Sequence, residues 1–292
     1  MTQQVFWNGV TAGSVYALIA LGFSLAYSAT RFFNFAHAVI LTIGAYLAFT
    51  CVESLGLPLA AAIPCAALGA GAVGAGLELA IYRPLRARGS AGLVLALASL
   101  GLFVAIQNVI PLLFGNDVRV LQKTPGSNVI AVFNARLTTV QVWSMITSAS
   151  GAALVWLALR FTRSGKELRA VSCDPLLALA WGINTQRVIL SAFGVGSMLA
   201  GLAGILIALD VAMSPTMGLN PMMIALVAMI IGGIGSVPGI FLGGLLLGLV
   251  QHLVAWYLGS RWQDPVVFLM LIGFLMVRPQ GFFGKPFWKA GV

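Results

Sequence analysis

Along this chain, long stretches without a charged residue alternate with short polar breaks. Met1 to Thr30, Leu137 to Leu159, Val188 to Leu209 and Val211 to Ser260 contain no Asp, Glu, Lys or Arg. Roughly 20 apolar residues in a helix cross a hydrocarbon core about 30 Å thick. Each run is therefore long enough to span a bilayer, and the last is long enough to do so twice. The pattern predicts an all-α, polytopic membrane helical bundle with spans at about 6–28, 37–52, 58–81, 91–114, 140–160, 188–209, 222–257 and 265–277. Gly232, Gly233, Gly235, Pro238 and Gly239 interrupt the seventh, so a short helix, a break and a longer helix are expected there. Counting broken or half helices, about eight to ten spans form one transmembrane domain over residues 1–292.

Composition excludes a soluble domain. With 60% hydrophobic residues, seven acids and sixteen bases, the chain cannot clothe a water-facing surface, so lipid must be its solvent. No Lys or Arg precedes the first apolar run, which reads as a retained span rather than a cleavable signal. Cys51, Cys65 and Cys173 fall at no ligand spacing and read as small buried hydrophobes, so no metal site is expected.

The net charge of +9 changes the picture through its placement. Arg83, Arg86 and Arg88 share one loop; Arg160, Arg163, Lys166, Arg169 and Arg187 flank another; Arg278, Lys285 and Lys289 end the chain. Cytoplasmic loops carry such excesses, so the basicity marks three inner faces rather than a nucleic-acid patch. The polar stretch Gly115 to Thr139 is placed outside, and the basic tail argues for an inside C-terminal end, which requires the broken seventh stretch to cross twice or the last run to be re-entrant. The side of the N-terminal end stays open, because Arg31 to His37 reads as either a loop or a break within the membrane.

Irregular backbone at membrane depth is tolerated where protein buries it or water reaches it. Two segments fit: Arg31-Phe-Phe-Asn-Phe-Ala-His37 and Gly232 to Gly239. Their polar residues Asn34, His37 and Ser236 are candidate translocation-path residues, each equally suited to capping a helix. The alternative for the first segment is an interfacial turn, and for the second close helix packing. Packing has its own signal, since Gly235, Gly239 and Gly243 repeat at four, as do Gly244 and Gly248. Gly69, Gly71, Gly74 and Gly76 suggest a similar smooth surface on the third span.

Ion-coupled carriers hold ionisable groups within the membrane, and here they are scarce. Glu78 lies near the inner end of its span, five residues before Arg83, and is expected to pair at the interface. A Walker A motif is also missing, since Ser164-Gly165-Lys166-Glu167 has neither the leading glycine nor a following Ser or Thr. The driving energy is thus expected from a partner ATPase, with no cofactor bound by this chain itself and ATP used by the partner. The loop at about 160–187 is the inner surface with room to dock it. Asp174 and Pro175 suit the cap and first turn of a short helix, and Gly182 suits its end. The apolar run to Trp181 favours a protein groove over lipid.

The chain resembles the inner-membrane permease subunits of bacterial branched-chain amino acid ABC transporters. The matching stretches run nearly end to end: Asn8-Gly9 with Gly13 to Leu18, Asn34-Phe35-Ala36-His37 with Gly44-Ala45-Tyr46, Tyr82-Arg83-Pro84-Leu85-Arg86, and Asp174-Pro175 with Gly182-Ile183-Asn184. They continue with Ala200 to Gly204, Gly232 to Gly239, and Arg278-Pro279-Gln280-Gly281 with Phe283-Gly284. The resemblance implies a bacterial inner-membrane, multi-pass permease, surrounded by lipid, that pairs with a second related permease, docks two cytoplasmic ATPase subunits and receives substrate from a periplasmic binding protein. It also implies that Asp174 to Asn184 carries nucleotide-driven movement, so Arg169, Asp174, Pro175, Leu177, Trp181 and Gly182 are the expected coupling residues. Branched-chain amino acids, other amino acids, urea or short amides, and aromatic acids are the implied substrates. Leu176-Leu177-Ala178 departs from the more polar Glu-Ala-Ala-like run usual in the family, which implies a more hydrophobic dock.

Overall fold

The computed structural model describes residues 2–121, 129–132, 135–278 and 280–284. Lys123, Pro125, Gly126 and Asn128 of the outer stretch, Pro279, and Lys285 and Lys289 of the basic tail lie outside the described residues. The helices in chain order are α1 (Thr2–Thr30), α2 (His37–Glu53), α3 (Leu59–Leu77), α4 (Arg83–Ala87), α5 (Gly92–Phe114) and α6 (Thr139–Phe161). They continue as α7 (Arg163–Cys173), α8 (Pro175–Ala180), α9 (Thr185–Asp210), α10 (Leu219–Gly232), α11 (Val237–Tyr257) and α12 (Gln263–Val277). A five-residue π turn, Glu78–Tyr82, joins α3 to α4. Among the described residues, seven helices are long and apolar enough to cross a membrane, and two shorter apolar ones, α2 and α10, accompany them. The break expected in the seventh run lies between α10 and α11. In the outer polar stretch, Val129–Val132 (β1) and Ala135–Thr138 (β2) form an antiparallel hairpin with Val129 opposite Thr138, which the apolar pattern did not signal.

The chain forms two compact units, one of residues 1–21, 127–152 and 223–292, the other of residues 22–126 and 153–222. The second is built on α2, α3 and α9, and its core is made of small side chains. Ile40, Ala70 and Ala200 form one buried cluster; Ala48, Ala66 and Ile205 belong to another. Membrane helices gain no hydrophobic force by leaving apolar lipid, so they associate by close packing, which small residues allow. A Cβ on Gly44 would collide with the backbone of Gly201, and one on Gly204 with the Leu41 carbonyl. The first unit uses the same device along α1 and α11. A Cβ on Gly13 would stand 2.8 Å from the Gly244 carbonyl oxygen, and one on Gly244 2.8 Å from the Ala17 Cα.

The side left open by the sequence follows from three hydrogen bonds, one at the end of α1 and two at its start. At the end of α1, Arg31 adopts a left-handed backbone (φ 58°), and its guanidinium donates to the Ser172 carbonyl of α7, within the basic inner loop. At the start of α1, the Gln4 side chain exchanges hydrogen bonds of 2.9 and 2.8 Å with the backbone of Arg136 in the outer hairpin. The positive-inside rule then runs α1 from outside to inside.

Candidate functional site

The inner loop is built by capping. Thr162 caps α7, its hydroxyl accepting from the Gly165 N–H at 3.1 Å. Gly165 packs against the end of α6, where a Cβ would stand 2.5 Å from the Leu159 Cα. Leu168 and Val171 are buried, whereas Arg163, Lys166, Glu167 and Arg169 face solvent. Asp174 closes α7 and opens α8: its carboxylate accepts from the N–H groups of Leu176 and Leu177 at 2.9 and 3.0 Å, with Pro175 in the first turn. At the other end Gly182 takes φ 80° and donates to the Leu179 carbonyl at 2.9 Å, while Ile183 donates to Ala178 at 3.0 Å. That pair of bonds is the Schellman stop, which needs a left-handed residue that glycine supplies most cheaply. Asn184 then caps α9 through the Arg187 N–H.

The result is a short helix fixed at both ends that hides one face and offers the rest. Ala178 is 4% exposed, whereas Leu176 and Trp181 are each 80% exposed, and Leu177 and Leu179 more than half. A cluster of exposed apolar side chains on a helix flanked in sequence by Arg169 and Arg187 is the kind of surface that suits a partner better than water. Of the expected coupling residues, the structure gathers Asp174, Pro175, Leu177, Trp181 and Gly182 on this one turn-helix-turn, with Arg169 one turn back on α7.

The turn between α1 and α2 is buried rather than open. Asn34 and His37 are 2% and 1% exposed. The Asn34 Oδ1 accepts from the Tyr82 hydroxyl at 2.9 Å, and its Nδ2 is buried without a protein partner. His37 opens α2 with its ring edge-on to Phe23. Freed backbone at this depth finds a partner that sequence reasoning missed: the buried Ser99 hydroxyl of α5 accepts from the Phe35 N–H at 3.0 Å, while its proton is shared between the Ala96 carbonyl at 2.7 Å and the Phe33 carbonyl at 3.3 Å. A single serine in the first two turns of an apolar span was its only signal. Glu78 does pair at the inner end of its span, with Arg86 rather than a base at Arg83. The π turn holds more residues than an α turn, which brings position 86 back over position 78.

Ser236, in the other unit, is a helix cap: its Oγ accepts from the Gly239 N–H of α11 at 3.3 Å. The three glycines near it differ. Gly239 and Gly243 let α11 lie on the end of α10, since a Cβ on Gly243 would stand 2.6 Å from the Ala228 carbonyl oxygen. Gly235 has open space around it, and its requirement is conformational, with φ 85°. The last carbonyls of α10 are met by the chain's own C-terminal segment. The Phe282 N–H donates to Ile231 at 2.8 Å and the Phe283 N–H to Gly232 at 3.2 Å. Sequence reasoning quoted this segment only as a resemblance; its work is to satisfy a helix end that lipid cannot.

Comparison with known proteins agrees with this architecture. Residues 5–277 match the family described as branched-chain amino acid transport system, permease component. The chain is 35% identical over 297 aligned residues to the high-affinity branched-chain amino acid transport system permease protein LivH of Escherichia coli, covering 97% of this chain and 96% of that one. It is 32% identical to the corresponding permease BraD of Pseudomonas aeruginosa, over 96% of this chain and 94% of that one. The fructose import permease FrcC of Rhizobium meliloti matches 42% of this chain and 35% of its own length at 32% identity. The chain belongs to the permease family of branched-chain amino acid transport systems.

Proposed function

We propose that this chain forms half of the translocation path of an ATP-driven importer for branched-chain amino acids in a bacterial inner membrane, and has no ATPase site of its own. A second related permease completes the path, two cytoplasmic ATPase subunits drive it, and a periplasmic binding protein delivers the substrate. The observation that carries this reading is α8: an apolar helix of six residues, capped at both ends and exposed on the inner side. A fixed, apolar, protruding helix suits insertion into a groove of a moving protein. The amino acid substrate is favoured because relatives named for it align end to end, whereas the fructose permease aligns over less than half of this chain.

Substituting Leu177→Asp or Trp181→Asp would set a charge against the groove and drive the helix out of it. In proteoliposomes containing all subunits, the permease pair is expected to insert normally, but ATP hydrolysis no longer depends on loaded binding protein and leucine uptake falls at least tenfold. Asp174→Ala is expected to be milder, removing a cap for about 1 kcal/mol. Normal stimulation and normal uptake in both aspartate variants would move the docking surface elsewhere.

A further inference from the structure

Beside the coupling helix, a cavity of about 260 Å³ opens between the start of α9 and the π turn and α4 that continue α3. Leu79 and Arg83 line it from one side, and Asn184, Gln186, Arg187 and Leu190 from the other. Glu78 also stands in the wall; its carboxylate pairs with Arg86 and lies within electrostatic reach of Arg83, so it offsets the two cavity arginines only in part. Both arginines are exposed. Asn184 is also the cap of α9, so the positive end of a 26-residue helix adds to the two cations. Two guanidinium groups and a helix end thus stand in the wall against one carboxylate that is already paired, a balance that favours an anion.

The other part of the lining is apolar. Leu79, 45% exposed, lies within the membrane-spanning stretch Leu59–Ala87, one turn deeper than Arg83, and Leu190 lies about one turn into α9 from Arg187. Cations at the interface above exposed leucine at membrane depth match a molecule with an anionic head and a hydrocarbon chain. Neither a free phosphate nor an acidic side chain has a use for the leucines.

We propose that this cavity binds the phosphate headgroup of an anionic phospholipid of the inner leaflet, with Arg83 and Arg187 as its ligands and the acyl chain against Leu79. Such a lipid bridges the inner ends of two helices in the core of their unit, next to the coupling helix.

The test is native mass spectrometry of the delipidated full chain titrated with phosphatidylglycerol and, separately, phosphatidylcholine. Phosphatidylglycerol is expected to bind preferentially. Arg83→Gln and Arg187→Gln are each expected to weaken it about fivefold, the usual share of one basic residue at an anionic membrane surface. Arg163→Gln, equally basic and exposed on the inner loop, is expected to leave it unchanged, and Arg83→Lys to retain most of it, which separates lost charge from lost folding. Equal weakening by Arg163→Gln, or none by the two cavity variants, overturns the proposal. So does displacement of phosphatidylglycerol by millimolar inorganic phosphate at constant ionic strength, which would make this a free-phosphate site. Variants that keep the lipid yet lose the ATPase subunits would assign the arginines to a protein contact and overturn it as well.

Discussion

Gly235, in the break before α11, and Gly239, in its first turn, lie four residues apart, yet glycine is required at each for a different reason. At Gly239 a side chain has nowhere to go: a Cβ would run into the Gly232 carbonyl and stand 2.9 Å from the Phe283 Cβ. At Gly235 the space is open and only the backbone, at φ 85°, resists a side chain. A left-handed backbone costs an ordinary residue about 1–2 kcal/mol, whereas a wedge between packed backbones must part the helices. Gly235→Ala is therefore expected to lower the thermal midpoint of the purified chain by a few degrees, and Gly235→Asn by less. Gly239→Ala is expected to abolish recovery of monodisperse protein. Size-exclusion chromatography after a heating series measures both, and equal tolerance at the two positions would remove the packing role of Gly239. The repeat of glycines at four was visible in the sequence. Which glycine served packing and which served the turn was not, because identical spacing arises from a helix face and from a left-handed corner.

Helix by helix, the same ambiguity decides how far small residues can be interpreted. On α3, Gly69, Gly71, Gly74 and Gly76 looked like one smooth surface, but they point in different directions. A Cβ on Gly71 would stand 3.0 Å from the Gly194 carbonyl oxygen of α9, and one on Gly74 would run into the Ser197 side chain; Gly76 meets nothing within 4 Å. Positions two apart in a helix do not share a face, so only part of the set touches α9. Gly74→Val is expected to separate α3 from α9 and to leave no assembled permease in membranes, whereas Gly76→Val should assemble at wild-type levels. Blue-native electrophoresis of membranes from cells expressing each variant distinguishes them, and loss of assembly in both would place a further partner on the open face of α3. At this scale the caps were the most legible feature. Asp174, Pro175 and Gly182 fixed a six-residue helix from local chemistry alone, because capping depends on residues within one turn of the helix end. Ser99, by contrast, serves a turn more than sixty residues away in the chain, a contact that no local pattern encodes.

Across the whole chain, the spans were legible because lipid imposes a severe demand: every crossing must be apolar for its full length and satisfy its own backbone. Sidedness was only half legible. Charge bias fixed the basic loops and the C-terminal side, but the first thirty residues hold no charge to orient them. The missing step came from Arg31, whose guanidinium reaches the Ser172 carbonyl of the basic loop and thereby fixes which end of α1 is inside. Cysteine accessibility tests that conclusion directly. Cys173 is exposed at the end of α7 and is predicted to face the cytoplasm. In a chain carrying Cys51→Ser, Cys65→Ser and Cys173→Ser, a single added cysteine at Gln3→Cys or Asp117→Cys is expected to react with a membrane-impermeant maleimide in intact spheroplasts. A chain retaining Cys173 alone is expected to react only after the membrane is opened. The three positions report independently on the start of α1, the outer stretch and the inner loop, so an error in one span shows as a single discordant site. If Gln3→Cys behaves like Cys173 while Asp117→Cys reacts from outside, α1 does not cross in the direction that Arg31 implies. The turn around Asn34 would then have to be placed on the opposite side from α8.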